Sequence, residues 1–145
     1  MADLVRELMV DASPATIFEY LTSADKIVEW HGTEAELDPR PGGVYRVRVA
    51  DKHPSAGEYV ELVPNEKVVF TFGWDEPGHP IPPGSTTIEI SLHREGSKTR
   101  VRLVHSGLPP EAVSDHGEGW SFYLDRLAVV APGGTVGPDR GSKPS

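Results

Sequence analysis

The six histidines and three tryptophans are the side chains of this sequence that offer the most chemistry. His116 and Trp120 stand four residues apart near the C-terminal end, and His105 precedes both. An imidazole titrates near neutral pH, so it could hold a ligand's carbonyl or carboxylate group or move a proton. An indole ring buries a large apolar area and can orient an apolar guest. The alternative is core packing for Trp120, with histidines that bond to backbone carbonyls or to solvent. Taken one by one, we expect that alternative for Trp120, His116, His31 and His105.

No spacing in the sequence is typical of a metal or phosphate site. His53, His79 and His93 are scattered and form neither an HxH nor an HExxH pattern. Gly42-Gly43 lacks the Lys-Ser/Thr pair and the following helix of a phosphate loop. Three carboxylates are expected on the solvated side of the last helix: Asp115, Glu118 and Asp125. We therefore expect no metal, no cofactor and no set of catalytic residues.

Composition and charge exclude several classes of protein. The 145 residues carry 22 acidic and 14 basic side chains, a formal net charge of -8. This balance argues against binding to nucleic acid or to an anionic membrane, which both need clustered Lys and Arg. Without cysteine there can be no disulfide and no thiolate catalysis. The sequence has no long apolar run that would span a membrane and its first residues are too charged for a signal peptide, so we expect a cytoplasmic protein.

Hydrophobic periodicity predicts a β-strand, two short helices, six more strands and one long helix. The first strand covers 5–10, and Ser13-Pro14 opens the first helix with a capping residue and a proline at its first position. A second short helix is predicted from Ser23 to about Trp30, and the long helix from about Pro110 to Val130. The remaining strands are predicted at 33–37, 44–49, 56–63, 68–74, 86–92 and 99–105.

These elements predict an α+β fold in which a curved antiparallel sheet wraps one helix. Short turns such as Glu95-Gly96-Ser97 require antiparallel pairing. The long helix presents one apolar stripe to the sheet: Val113, His116, Trp120, Leu124, Leu127 and Ala131. A sheet curved round a helix often leaves a cavity, and the proline-rich loop 75–84 would form a fixed rim at its entrance. We expect one domain over 1–131 and a flexible Gly/Pro/Ser-rich tail over 132–145.

Several segments, in this order and spacing, resemble a known family. They are Ser13-Pro14-Ala15-Thr16-Ile17-Phe18, Ile27-Val28-Glu29-Trp30, Arg40-Pro41-Gly42-Gly43-Val44-Tyr45-Arg46, Gly57-Glu58-Tyr59-Val60-Glu61-Leu62, Pro64 to Trp74, His105-Ser106-Gly107-Leu108, His116 to Trp120 and Tyr123 to Leu127. Over residues 3–131 the chain resembles the activator of Hsp90 ATPase homologue 1-like (AHSA1) family of the Bet v 1/START-like (SRPBCC) superfamily. The resemblance implies a helix-grip fold of about seven strands with two short helices between strands 1 and 2. The family often has two adjacent tryptophans where this chain has Trp30-His31.

Three functions remain open at this point. The first is a module that binds a small apolar or amphipathic ligand between sheet and helix, with His116 as its polar anchor. Its cavity would be lined by Trp30, Phe70, Phe72, Trp74, His116, Trp120, Tyr123 and Leu124. The second is a small cyclase, dehydratase or hydrolase, which would need His116 to converge with a carboxylate or with Tyr45 or Tyr59.

The third function is that of an interaction protein, and it follows only from the resemblance. The resemblance suggests association with a chaperone or with a small transcriptional repressor, and hence a role in stress response or regulation. Such a protein would have a filled interior and an exposed apolar patch. The oligomeric state stays open, a homodimer included. Of the three, the sequence favours a binding module over an enzyme.

Overall fold

The computed structural model describes residues 2–141, and they form one curved, seven-stranded antiparallel sheet around a long C-terminal helix. The strands are β1 (Ala2–Val10), β2 (Glu34–Leu37), β3 (Val44–Val49), β4 (His53–Val63), β5 (Lys67–Phe72), β6 (Thr86–Glu95) and β7 (Lys98–Leu108). Their order in the sheet is β1-β7-β6-β5-β4-β3-β2. Apart from the β1–β7 pair, each strand lies beside its sequence neighbour, as short hairpin connections require. The predicted helix-grip fold is thereby confirmed.

The helices begin and end where local chemistry directs. Helix α1 (Pro14–Thr22) starts at Ser13, whose hydroxyl accepts a hydrogen bond from the Thr16 amide at 3.2 Å. Helix α2 (Ala24–Ile27) is shorter than predicted, because the chain continues to Trp30 as turns. A short 3-10 turn (Pro110–Ala112) leads into α3 (Val113–Val130). No helix within residues 2–141 is long and apolar enough to cross a membrane.

Several strands extend further than their apolar pattern predicts. Strands β6 and β7 pair up to Glu95 and Lys98, directly at the turn, although both residues are polar. His53 lies between the strands predicted at 44–49 and 56–63, but it is the first residue of β4 and pairs with Val49. The reason is that backbone hydrogen bonds do not depend on side-chain polarity, so pairing continues where the outward residues are charged.

Two glycines let other segments approach closely. Gly117 is buried in α3, where a Cβ would collide with the Arg6 guanidinium and lie 3.2 Å from Leu4 Cδ1. Because Gly117 has no Cβ, α3 can pack closely on β1. Gly32 has a φ of 81° and ends the turns after α2, in a backbone conformation that glycine adopts without strain. Gly117 therefore sets the distance between α3 and β1, and Gly32 allows the chain to turn after α2.

Candidate functional site

A cavity of about 630 Å³ lies between α3 and the ends of strands β3, β4 and β5. Four aromatic side chains form its apolar walls: Phe72, Trp74, Trp120 and Tyr123. Phe72 ends β5, Trp74 follows it by two residues, and the other two project from α3. The volume falls within the range of roughly 300–1,000 Å³ that is usual for small-molecule sites.

The structure brings together five of the eight residues that the sequence proposed for a cavity. Phe72, Trp74, His116, Trp120 and Tyr123 line it. Trp30, Phe70 and Leu124 do not, and each lies elsewhere in the core. For Phe70 the reason is its position along β5. Phe72 ends the strand beside the cavity, whereas Phe70 lies two residues further from that end.

Two of these core residues have specific partners. The Phe70 ring stacks on Tyr45 with centroids 4.0 Å apart. The Trp30 indole N–H donates to the Tyr20 carbonyl oxygen at 3.0 Å. Their roles are therefore to support the interior from outside the cavity.

His116 lines the cavity, but both of its ring nitrogens already have partners. Its Nδ1 donates to the Ala112 carbonyl oxygen at 2.9 Å, and its Nε2 accepts from the Trp74 indole N–H at 3.2 Å. Burial lowers the pKa of His116, so the ring is neutral near pH 7. A ligand could bond to Nε2 only by displacing Trp74.

His105 lies behind the cavity wall in a chain of directed hydrogen bonds. The Trp120 indole N–H donates to His105 Nδ1 at 3.1 Å, so the imidazole proton resides on Nε2 and is donated to Thr86 Oγ1 at 2.9 Å. The Thr86 hydroxyl then donates to the Phe72 carbonyl oxygen at 2.7 Å. Burial, followed by the neighbouring His116, lowers the pKa of His105 to about 3. His105 was expected to bond to backbone carbonyls or to solvent, and the structure differs: both of its ring nitrogens bond to side chains.

His31 lines the cavity and was missing from the proposed residues. It is 2% exposed, its ring lies 4.5 Å from that of Tyr123, and its buried Nδ1 has no hydrogen-bond partner within residues 2–141. Burial lowers its pKa to about 4, against an opposing effect of Asp139. The available signal was its place after Trp30, where the resembling family often has a second aromatic ring.

The rim of the cavity carries two further histidines. His53 Nδ1 lies 3.1 Å from Glu76 Oε2. His79 Nδ1 accepts from the Ile81 amide at 3.0 Å, and Ile81 is buried. Because Ile81 anchors the loop 75–84, its residues Glu76 and His79 are held against the cavity. Within the described part of the chain, no three His, Asp or Glu side chains converge as metal ligands.

The segment after α3 closes one side of the cavity. Asp139 is 3% exposed, and its carboxylate accepts hydrogen bonds from the amides of Gly32, Ala50 and Gly141 and from the Tyr123 hydroxyl, at 2.7–3.0 Å. Burial opposes its ionisation, but these donors outweigh burial and lower its pKa. Arg140 and Gly141 then line the cavity. The flexible tail expected over 132–145 stays a prediction; within it the structure describes residues 132–141, where Asp139 makes these bonds, and residues 142–145 lie outside the described part.

The sequence matches the family described as activator of Hsp90 ATPase homolog 1-like protein over residues 11–131. Among solved structures, an AHSA1-like protein of Rhizobium etli is 42% identical, with a TM-score of 0.73, and the match covers 95% of this chain and 86% of that one. A comparison with curated proteins finds no significant match.

Two more distant structures share the fold. The Aha1 protein of Colwellia psychrerythraea, solved as a dimer, is 21% identical with a TM-score of 0.80, over 92% of this chain and 98% of that one. CalU16 of Micromonospora echinospora is 21% identical with a TM-score of 0.74, over 90% and 76%. From the match over residues 11–131 and the Rhizobium relative, the chain belongs to the activator of Hsp90 ATPase homologue 1-like family.

Proposed function

We propose that this protein binds a small apolar or amphipathic molecule in the cavity between α3 and the sheet. The observation that carries the proposal is the cavity of about 630 Å³ walled by Phe72, Trp74, Trp120 and Tyr123. The cavity opens to solvent and its walls are largely apolar, a combination that is typical of ligand sites and needs an explanation. Binding an apolar guest is the most direct one.

The histidines in and behind the inner wall of the cavity carry no charge near pH 7. His116 and His105 are neutral and have both ring nitrogens bonded within the protein. His31 differs, since its Nδ1 has no partner among the described residues. Because that nitrogen is sealed from solvent, it offers a ligand no hydrogen bond, and we propose that the inner wall binds by apolar contact, while Trp30, Phe70 and Leu124 support the walls from behind.

The test uses N-phenyl-1-naphthylamine, a neutral apolar fluorophore, and a variant that fills the cavity. Gly119 lines the cavity, and a Cβ there would meet no heavy atom within 4 Å. Gly119→Phe should abolish the fluorescence increase that the wild type produces. Glu118→Phe places the same ring at an exposed position of α3 and should bind the dye normally. Equal binding by wild type and Gly119→Phe would refute the proposal.

A second candidate function is general-base catalysis in the same cavity, and the His53–Glu76 pair favours it. If His53 donates Nδ1–H to Glu76, its Nε2 carries a lone pair that could take a proton from a water or from a substrate. Of the partners expected for His116 in an enzyme, Tyr45 and Tyr59 are buried outside the cavity, whereas the carboxylates of Glu76 and Asp115 line it together with His116.

Hydrolysis of p-nitrophenyl butyrate tests this second function. Activity above background that is lost in His53→Gln and kept in His93→Gln, whose histidine is exposed on β6, would support it. Equal rates in the wild type and in His53→Gln would exclude His53 as the base. The binding proposal stands independently of either result.

Association with a chaperone, a repressor or a second copy has less support. The interior holds a cavity rather than being filled, and the large apolar residues exposed within residues 2–141 are dispersed over three elements: Val5, Met9, Val60 and Val129. A dimer is known for the Colwellia protein, which shares the fold with this chain. A cytoplasmic location likewise stays a prediction.

A further inference from the structure

We propose that the preferred ligand of this cavity is an amphipathic anion, an apolar body with one ionised acidic group that Lys52 and Arg140 bind at the rim. The proposal rests on the proposed function, because it names the ligand class of the same cavity. It is carried by two cations that line the cavity beside its aromatic walls and that have no ion-pair partner within residues 2–141, whereas Glu76 and Asp115 are the two carboxylates on the same lining.

Lys52 is held in place by a constrained turn. Residues 49–52 connect β3 to β4, and the Lys52 amide donates to the Val49 carbonyl oxygen at 3.1 Å. Ala50 and Asp51 both have positive φ, 56° and 57°, as in a type I′ hairpin turn. Alanine disfavours this conformation, but the Ala50 amide donates to the buried Asp139 carboxylate at 2.9 Å. The turn that carries Lys52 is therefore fixed by a bond across the cavity wall.

Arg140 stands beside the same carboxylate. It directly follows Asp139, and the next residue, Gly141, donates its amide to Asp139 at 2.9 Å. The backbone on both sides of Arg140 is thus anchored, and its side chain lines the cavity. One buried carboxylate thus anchors the backbone next to both cations, although they lie far apart in the sequence.

The other charged groups of the cavity are already engaged. Glu76 lies 3.1 Å from His53, and Asp115 takes part in an interaction of its own. Neither Lys52 nor Arg140 has an ion pair or hydrogen bond through its side chain in the described chain. In a protein of net charge -8, two unpaired cations at one aromatic cavity form a local site for an anion. Such cations add to the binding of a ligand only if its acidic group can reach them.

Two fluorophores with the same rings test the proposal. 8-Anilinonaphthalene-1-sulfonate carries a sulfonate that N-phenyl-1-naphthylamine lacks, so the ratio of their Kd values isolates the acidic group. We expect the sulfonate to bind about tenfold more tightly at low salt, with the advantage shrinking as NaCl rises and screens the charges. The neutral dye should show no such dependence on salt.

Charge-removing variants assign the effect to the two residues. Lys52→Gln combined with Arg140→Gln should weaken sulfonate binding about tenfold and leave the neutral dye unchanged, and Lys98→Gln, at the exposed β6–β7 turn, should change neither. If both dyes bind the wild type equally well, or the double variant keeps the preference, the amphipathic-anion proposal is overturned while the cavity remains a binding site. If neither dye binds, the proposed function itself fails.

Discussion

At the residue scale, the interior of this protein depends on imidazole rings that stay neutral. His105 and His31 are almost fully buried, and burial lowers their pKa values to about 3 and about 4. His105 uses its neutral form as both donor and acceptor, between Thr86 and Trp120. A protonated ring would have to donate from both nitrogens and would lose the bond from Trp120. The hydrogen bonds of the folded state therefore require His105 to be neutral.

We expect the stability of the protein to fall as pH drops from 6.5 to 5. The unfolded chain binds protons at His31 and His105 near pH 6.5, whereas the folded state does not, so acidification favours unfolding. Each histidine should cost about 2 kcal/mol over this range, which lies above the usual titration of carboxylates. Urea unfolding at several pH values measures it. His105→Gln should flatten the dependence, His93→Gln should not, and equal slopes in all three proteins would contradict the prediction.

Replacing His31 with phenylalanine should stabilise the free protein by about 1 kcal/mol, because a buried polar atom without a partner costs about 1–3 kcal/mol. The neighbouring cavity leaves room for the slightly larger ring. Thermal and urea unfolding of His31→Phe measure the change. A loss of stability would instead show that Nδ1 has a partner in solution, such as a buried water.

At the scale of the elements, α3 combines two kinds of glycine. Gly117 is buried against Arg6 and Leu4 of β1, whereas a Cβ on Gly119 would meet nothing within 4 Å. The first glycine is needed for the packing of helix on sheet. The second only lowers the helical propensity of the segment and leaves the cavity open.

Gly117→Ala should therefore destabilise the protein by up to about 1 kcal/mol, because the same gain in helix propensity is offset by the Arg6 guanidinium, which must move away from its bond to Ser121. Gly119→Ala should stabilise it by about 0.5–1 kcal/mol through helix propensity. Both values come from urea unfolding of the two variants. Equal changes in the free energy of unfolding for the two variants would contradict the close packing of α3 on β1.

At the scale of the whole molecule, Asp139 joins parts of the chain that are remote in sequence. Its carboxylate bonds to the turn after α2 through Gly32, to the β3–β4 turn through Ala50, and to α3 through Tyr123. Arg126 adds to this connection by donating to the Trp30 carbonyl oxygen at 2.9 Å. One end of the sheet and the long helix are thus held together around the cavity.

Asp139→Ala should lower the free energy of unfolding by about 2–4 kcal/mol, because hydrogen bonds to a charged group are worth about 1.5–3 kcal/mol and buried donors lose their acceptor. Amide exchange at Gly32 and Ala50 should accelerate together. Asp125→Ala, which removes an exposed carboxylate of α3, serves as the control and should alter neither measurement. Unchanged exchange at both amides would show that the segment after α3 does not hold them.

The sequence by itself determined the order of elements, the apolar stripe of α3 and the curved antiparallel sheet. These follow from periodicity and turn residues, which act over a few positions and can be read locally. It also proposed Phe72, Trp74, His116, Trp120 and Tyr123 as cavity residues, because large aromatic and imidazole side chains on inward faces must meet in the interior. The same local reasoning predicted a flexible tail over 132–145, because that segment has few apolar residues.

Only the tertiary structure decided which inward residues line the cavity and which fill the core. It placed Phe70 outside the cavity and Phe72 in its wall, although the two lie on the same face of β5. It also brought His31, Lys52 and Arg140 to the cavity lining and buried Asp139 beside them. The physical reason is that their positions depend on the curvature of the sheet and on contacts across more than a hundred residues, such as Gly32 to Asp139 over 107. No local pattern encodes such a contact.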